Sequence, residues 1–286
     1  MNRWRGTGFA YTPEALRRGW IELYLDEKVL AAPLGWRKPR RVFVCSMTDL
    51  FADFVSGEWI DRVFAVMALT PLHTYQVLTK RPERMRGHLT PQPPLQGERG
   101  SARSAGERVW READRIACAQ RLGEGHPSAE YLYDGPKHAR WPLPNVIVMV
   151  SVEDQATADA RIPALLDTPA ALRGISLEPM IGAVDLNHIQ IEKQCLDWVI
   201  CGGESGPDAR PMHPDWVRAV RDQCVAAGVA FFFKQWGRWF PRSEWEHNPE
   251  LVLPDDCDAY TDSPHTRVLE GLDGLEPMHD VGKKAA

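Results

Sequence analysis

Trp198-Val199-Ile200-Cys201-Gly202-Gly203-Glu204-Ser205-Gly206 is a short apolar run that stops at once in a glycine-rich turn bearing a carboxylate. A run of this length bounded by glycine suits a strand covered on both faces, as in a parallel sheet. Five other stretches repeat the form. Val42–Cys45 runs into Ser46-Met47-Thr48-Asp49, and Tyr75–Leu78 into Thr79-Lys80-Arg81-Pro82. Val146–Val150 leads to Ser151-Val152-Glu153-Asp154, Leu172–Ile175 to Ser176-Leu177-Glu178-Pro179, and Ala230–Phe233 to Lys234-Gln235-Trp236-Gly237. In parallel α/β folds, ligands and chemistry sit at the carboxyl ends of the strands. The six polar endings predict an α/β partial (βα) barrel-like parallel sheet of about six strands, with flanking helices and one functional face.

The stretches between these runs read as helices. Gly57–Leu69 puts Ile60, Val63, Phe64 and Met67 on one helical face. Pro82 suits a first helical turn. Asp154 is placed to cap a helix over Gln155–Leu166, which Pro163 should kink or end. Pro214 opens another helix, with Trp216, Val217, Val220 and Cys224 sharing a face and Gly228 as its stop. A short helical possibility lies at Pro13–Arg18. Strands alternating with helices imply βαβ units and a mostly parallel sheet.

Residues 90–140 break the rhythm with Pro91-Gln92-Pro93-Pro94 and a glycine-rich Gly97–Gly106, then an amphipathic pattern near Glu107–Leu122. An insertion of this length is a lid, a partner surface or partly disordered. Beyond Trp239 the chain turns acidic and turn-rich. The expected organisation is one α/β domain over residues 1–240, interrupted at about 90–140, with a peripheral tail at 241–286.

The 286 residues carry a net charge of -5, which exerts no global pull toward nucleic acid or membrane. No stretch approaches the roughly 20 apolar residues of a membrane span, and Met1–Gly6 lacks the apolar core of a secretory signal. A cytoplasmic protein is expected. The six cysteines, Cys45, Cys118, Cys195, Cys201, Cys224 and Cys257, form no C-x-x-C pair and read as reduced core thiols. The nine histidines show no H-E-x-x-H spacing, so no metal ligand set is assigned.

Glu153, Glu178 and Glu204 follow three strands at the same relative place, as Asp49 follows the first. Converging carboxylates can bind a divalent metal, act as acid and base, or hold hydroxyl and ammonium groups; they can also simply cap helices or pair with Lys80, Arg81 and Lys234. Gly202 and Gly203 allow backbone N–H groups to approach a ligand, although the order matches neither nucleotide fingerprint. Lys80 and Arg81 could meet a phosphate or carboxylate of a substrate, and Lys234 and Gln235 extend that rim. Arg37-Lys38-Pro39-Arg40-Arg41 is a basic run before the first strand, either a solvated entrance or a phosphate contact.

Six ordered blocks carry a family resemblance: Trp36–Arg40, Ser46–Phe51, Leu78–Met85, Ser151–Gln155, Gly202–Gly206 and Phe232–Gly237. They resemble the signature blocks of the phage gp-thirty-seven/gp-sixty-eight family, also described as three-cysteine-motif proteins. The resemblance covers roughly residues 36–89 and 141–239. It implies a partial barrel similar to that of radical S-adenosylmethionine enzymes, with a C-x-x-x-C-x-x-C stretch holding a [4Fe-4S] cluster. This chain lacks that motif. Its opening Arg3-Trp4-Arg5-Gly6 resembles the stretch that follows the cysteines, so an N-terminally truncated member is expected, and the end at Ala286 also looks early. At the family level the cofactors would be S-adenosylmethionine and the cluster. Ser46, Thr48 and Asp49 would then face the cofactor's amino-acid end, and Ser151, Glu153, Glu178 and Glu204 its ribose, amino or substrate groups. Gly202 and Gly203 are grouped with the cofactor-binding set.

Two other readings fit the residues. One is a divalent-metal-dependent hydrolase or lyase using the strand-end carboxylates. The other is a non-catalytic module. It would bind nucleic acid through Arg37–Arg41 and Lys80-Arg81, or a protein partner through residues 90–140. The substrate would be a small molecule or a nucleic-acid-related group.

Overall fold

The computed structural model describes residues 17, 24–46, 48–90, 104–120, 141–187, 196–241 and 275–277. The chain separates into two compact units. One comprises Met1–Val148 with Asp167–Leu172, the other Met149–Leu166 with Arg173–Ala286.

The strands are β1 (Arg41–Val44), β2 (Thr74–Thr79), β3 (Val146–Val152), β4 (Leu172–Leu177), β5 (Trp198–Gly202) and β6 (Ala230–Gln235). They form a six-stranded sheet in chain order. The pairs β1/β2, β4/β5 and β5/β6 run parallel. Parallel strands in chain order, joined by helices, are the topology of a partial (βα) barrel, as the sequence predicts. The inner strands β3 and β4 are the most buried, and the terminal strands β1 and β6 alternate between exposed and half-buried residues. Burial on both faces explains why β3 reads as a continuous apolar run.

In the first unit, α1 (Glu27–Ala31) is capped by Asp26, whose carboxylate accepts from the N–H groups of Lys28 and Val29. A 3-10 turn (Ala32–Gly35) then leads to β1. The helix α2 (Gly57–Leu69) buries Ile60, Phe64 and Met67 as its periodicity predicts, and α3 (Pro82–Leu89) starts at the expected proline. The interrupting segment holds α4 (Ala105–Gln120), which packs along α2 and buries Val109, Trp110, Ala113 and Ala117. That apolar face is therefore covered by this chain. Asp61 of α2 ties the three helices together. It accepts from Arg108 Nε at 3.0 Å and lies 2.9 Å from His88 Nε2, while Arg108 Nη2 donates to the His88 carbonyl at 2.8 Å.

In the second unit, α5 (Gln155–Leu166) is capped by Asp154, whose Oδ1 accepts from the Thr157 N–H at 2.9 Å. Those bonds hold the Asp154 carboxyl below its usual range. Pro163, where a kink or the end of the helix's first part is expected, lies inside the helix, which reaches Leu166. The proline removes one backbone donor near the helix end, and the buried Ile162, Ala164 and Leu165 around it keep the last turn in place. The helix α6 (Pro214–Ala227) buries Val217, Val220 and Cys224 and closes at Gly228 with φ 70°. A small antiparallel pair, β7 (Trp239–Pro241) with β8 (Leu275–Pro277), completes the described residues. Of the helical possibility at Pro13–Arg18 only Arg17 is described, and it is helical, while the remainder of 90–140 and most of the tail lie outside the described residues. No described helix is long and apolar enough to cross a membrane.

Candidate functional site: carboxylates at the strand ends

In the first unit the end of β1 is tied to the end of β2 by Asp49. Its Oδ1 accepts from the Phe51 N–H at 2.9 Å and the Thr79 hydroxyl at 2.8 Å. Its Oδ2 accepts from the Lys80 N–H at 2.9 Å and Arg81 Nη1 at 3.0 Å. A carboxylate has about four lone-pair directions, and Asp49 fills that number with donors from its own chain. The loop between Asp49 and α2 is held further by Arg84, whose guanidinium donates to the carbonyls of Ala52 and Val55. Phe51 is fully buried beneath it. Ser46 and Thr48 lie exposed on the same loop. Cys45, with φ 56°, turns the chain out of β1. Burial, and then the neighbouring Asp49 charge, push its thiol up to about 11.

In the second unit a Ser-x-Glu pattern appears twice. Ser151 and Ser176, expected just past their strands, lie inside β3 and β4, which run two residues further than the apolar runs. Their hydroxyls donate to the next carboxylates: Ser151 to Glu153 Oε1 at 3.2 Å and Ser176 to Glu178 Oε2 at 2.9 Å. Both serines are almost fully buried. Each carboxylate also meets one cation. Arg161 Nη1 reaches Glu153 Oε2 at 2.8 Å and the Ser151 carbonyl at 2.7 Å. Lys234 Nζ lies 2.7 Å from Glu178 Oε1, with the lysine 53% exposed and the glutamate 20%.

Glu204 differs from these two. Arg210 clasps it with Nε at 2.8 Å, Nη2 at 2.9 Å and its own backbone N–H at 2.9 Å. The guanidinium first, then that N–H, hold the Glu204 carboxyl down at about 2.

The glycines here serve the fold. The Gly203 N–H donates to the Gln235 carbonyl at 2.9 Å, and Arg238 N–H to the Glu204 carbonyl at 2.8 Å. A Cβ on Gly203 would fall 1.8 Å from the Trp236 carbonyl oxygen. Gly237, at φ 83°, leaves similarly little room beside Glu204. Two backbones thus interlock where the sequence suggests room for a ligand. A Cβ on Gly202 would stand 3.2 Å from Glu178 Oε1, so that glycine makes space for the carboxylate. Gln235 Nε2 donates to the Ser205 hydroxyl at 3.1 Å.

Of the expected partners, Arg81 and Lys234 do hold carboxylates. Arg161 and Arg210 are additional. Arg161 lies seven residues after the cap Asp154, two helical turns on, a spacing that returns it to the same helix face as the cap. Arg210 closes a six-residue loop and has no periodic signature.

A family model described as a protein of unknown function, DUF5131, matches residues 3–286. The chain belongs to the DUF5131 family. No curated protein and no solved structure matches it.

In this DUF5131 member the described cysteines are not grouped as cluster ligands: Cys45 follows β1, Cys201 lies in β5 and Cys224 in α6. Burial raises these three thiols to about 11, 12 and 11. Cys118 is exposed on α4, and Cys195 and Cys257 lie outside the described residues. Among the described residues, no three His, Cys, Asp or Glu side chains are grouped to hold one ion.

Proposed function

We propose that the second unit is a ligand-binding strand end of the radical S-adenosylmethionine type, taking S-adenosylmethionine itself without cluster chemistry on the described cysteines. The observation that supports this reading is Glu178. Its carboxylate has one buried hydroxyl and one half-exposed ammonium as partners, and it stays partly open to solvent. S-adenosylmethionine brings a sulfonium, an ammonium and a ribose diol, all groups that a carboxylate accepts or balances. Lys234 is a flexible point charge on a long stem. It can swing from Glu178 to the ligand carboxylate while Glu178 turns to the ligand hydroxyls or cation. Glu153 keeps Arg161 in place beside it, and Ser176 fixes the rotamer of Glu178. The divalent-metal reading has no donor set among the described residues.

Calorimetric titration with S-adenosylmethionine tests the proposal. Saturable binding is expected, weakened roughly 10-fold or more by Glu178→Gln, as loss of a charged hydrogen bond predicts. Absence of heat with the folded full chain, or binding indifferent to Glu178→Gln, overturns it.

A further inference from the structure

At the other end of the first unit's strands lies a charge arrangement the strand-end site does not use. Between Lys28 and Thr48 the chain carries Lys28, Arg37, Lys38, Arg40 and Arg41 and not one Asp or Glu, in a protein whose net charge is -5. Arg37, Lys38, Arg40 and Arg41 are all exposed. At the strand ends four cations hold carboxylates: Arg81 with Asp49, Arg161 with Glu153, Arg210 with Glu204, Lys234 with Glu178. None of the four cations at the entrance of β1 has such a partner among the described residues.

The backbone under these cations is fixed. The Thr74 N–H donates to the Arg40 carbonyl at 2.9 Å, and Arg41 pairs with Thr74 in the sheet. The Arg40 guanidinium lies 4.4 Å from the centre of the Trp36 ring, and Trp36 in turn rests against the buried His73, ring centres 5.4 Å apart. His73 Nε2 sits 3.3 Å from the Pro33 carbonyl. The result is a segment that bends at Lys38 and enters β1 at Arg41, with its backbone fixed at Arg40 and Arg41 and an aromatic plate among the cations.

We infer that this entrance strip binds the phosphate backbone of a nucleic acid. Three of the four cations are arginine, whose planar fork matches phosphate oxygens in pairs. Four cations match up to about four phosphate contacts. The Trp36 ring holds the Arg40 guanidinium by a cation–π contact and so fixes where that charge sits. The acidic net charge does not oppose this, because the strip is locally free of carboxylates and a groove-scale field follows local charge. The inference is independent of the strand-end ligand.

The test is fluorescence anisotropy of a labelled 20-mer, as single strand and as duplex, titrated with the full chain from about 50 to 200 mM salt. With about four phosphate contacts, affinity should fall roughly 50- to 150-fold over that range. Arg37→Glu with Lys38→Glu should cut affinity at least 10-fold and roughly halve the salt slope, while Arg221→Glu on the exposed face of α6 should leave both unchanged. A thermal melt confirms that the variants fold, and the wild-type salt slope stands without any variant. No binding at low salt overturns the inference. So do equal losses in both variants, or retention by anionic phospholipid vesicles with none by either oligonucleotide.

Discussion

Asp49 and Glu178 both lie beyond the end of a strand, Asp49 five residues past β1 and Glu178 directly after β4, and the protein treats them differently. Asp49 is saturated by four donors, two of them backbone N–H groups, which lock the ends of β1 and β2 to each other. Glu178 has one hydroxyl and one mobile ammonium. A carboxylate whose lone pairs are all taken by its own chain is a structural clasp. One that shares a single exposed lysine can exchange that partner for a ligand. Position after a strand therefore does not by itself separate the two roles. The number and rigidity of the donors does.

The largest effect expected from this comparison is at Asp49. Asp49→Ala leaves the Phe51 and Lys80 N–H groups and the buried Thr79 hydroxyl without an acceptor. Stranded buried donors cost about 1–3 kcal/mol each before relaxation, and the half-exposed Arg81 pair adds little. A loss of about 3 kcal/mol in urea unfolding is expected. Hydrogen exchange should accelerate first at residues 48–55 and 79–84. Asp49→Asn should recover only part of this, since the amide replaces one acceptor oxygen by a donor where every partner is a donor. A loss below about 1 kcal/mol for the alanine variant would mean that water replaces the carboxylate, and the distinction from Glu178 would collapse.

Much of this arrangement is legible in the sequence. The six apolar runs with polar endings specify the number of strands and their common direction, and the inner β3 shows the continuous apolar run that burial on both faces favours. Pro82, Pro214, Asp154 and Gly228 mark helix ends through backbone chemistry that acts within a few residues. The boundaries of β3 and β4 are less legible. Ser151 and Ser176 look like turn residues, yet they remain in the strands because each hydroxyl is satisfied by the glutamate two residues on. Gly203 is the reverse case. Its type suggests ligand access, but the space it opens is filled by the Trp236 carbonyl, a partner 33 positions away that no local pattern announces. Ion-pair partners follow the same rule. Arg161 can be reached by helical spacing from Asp154, whereas Arg210 depends on a loop path and the Glu178–Lys234 pair on side chains that reach across β5 from β4 and β6.

An intermediate effect belongs to Glu204. Its carboxyl is held at about 2, against 4.5 for an ordinary glutamate. A depressed acid contributes stability that is fully present above the unfolded value and is lost as pH falls through the folded one. The Glu204 contribution should therefore be complete above about pH 4.5 and disappear by about pH 2. Urea midpoints between pH 6 and pH 2 should fall less steeply across that window in Glu204→Gln than in the parent chain. Parallel curves would show that Arg210 releases the carboxylate in solution, placing Glu204 with Glu178 as an exchangeable group instead of with Asp49.

The smallest stability effect is expected where the ligand-binding argument is strongest. Glu178→Gln removes an ion pair with a lysine 53% exposed, so solvent screens most of its energy. Exposed pairs of this kind contribute about 0–1 kcal/mol. The amide oxygen can still accept from the Ser176 hydroxyl, which keeps that buried group satisfied. A change within about 0.5 kcal/mol in urea unfolding is expected, beside the loss of S-adenosylmethionine affinity. Stability lost to the same degree as in Asp49→Ala would make Glu178 a second clasp. Near-neutral stability with weakened binding would separate the two carboxylates by function as the donor counts separate them by structure, since only a group the fold can spare is available to a ligand.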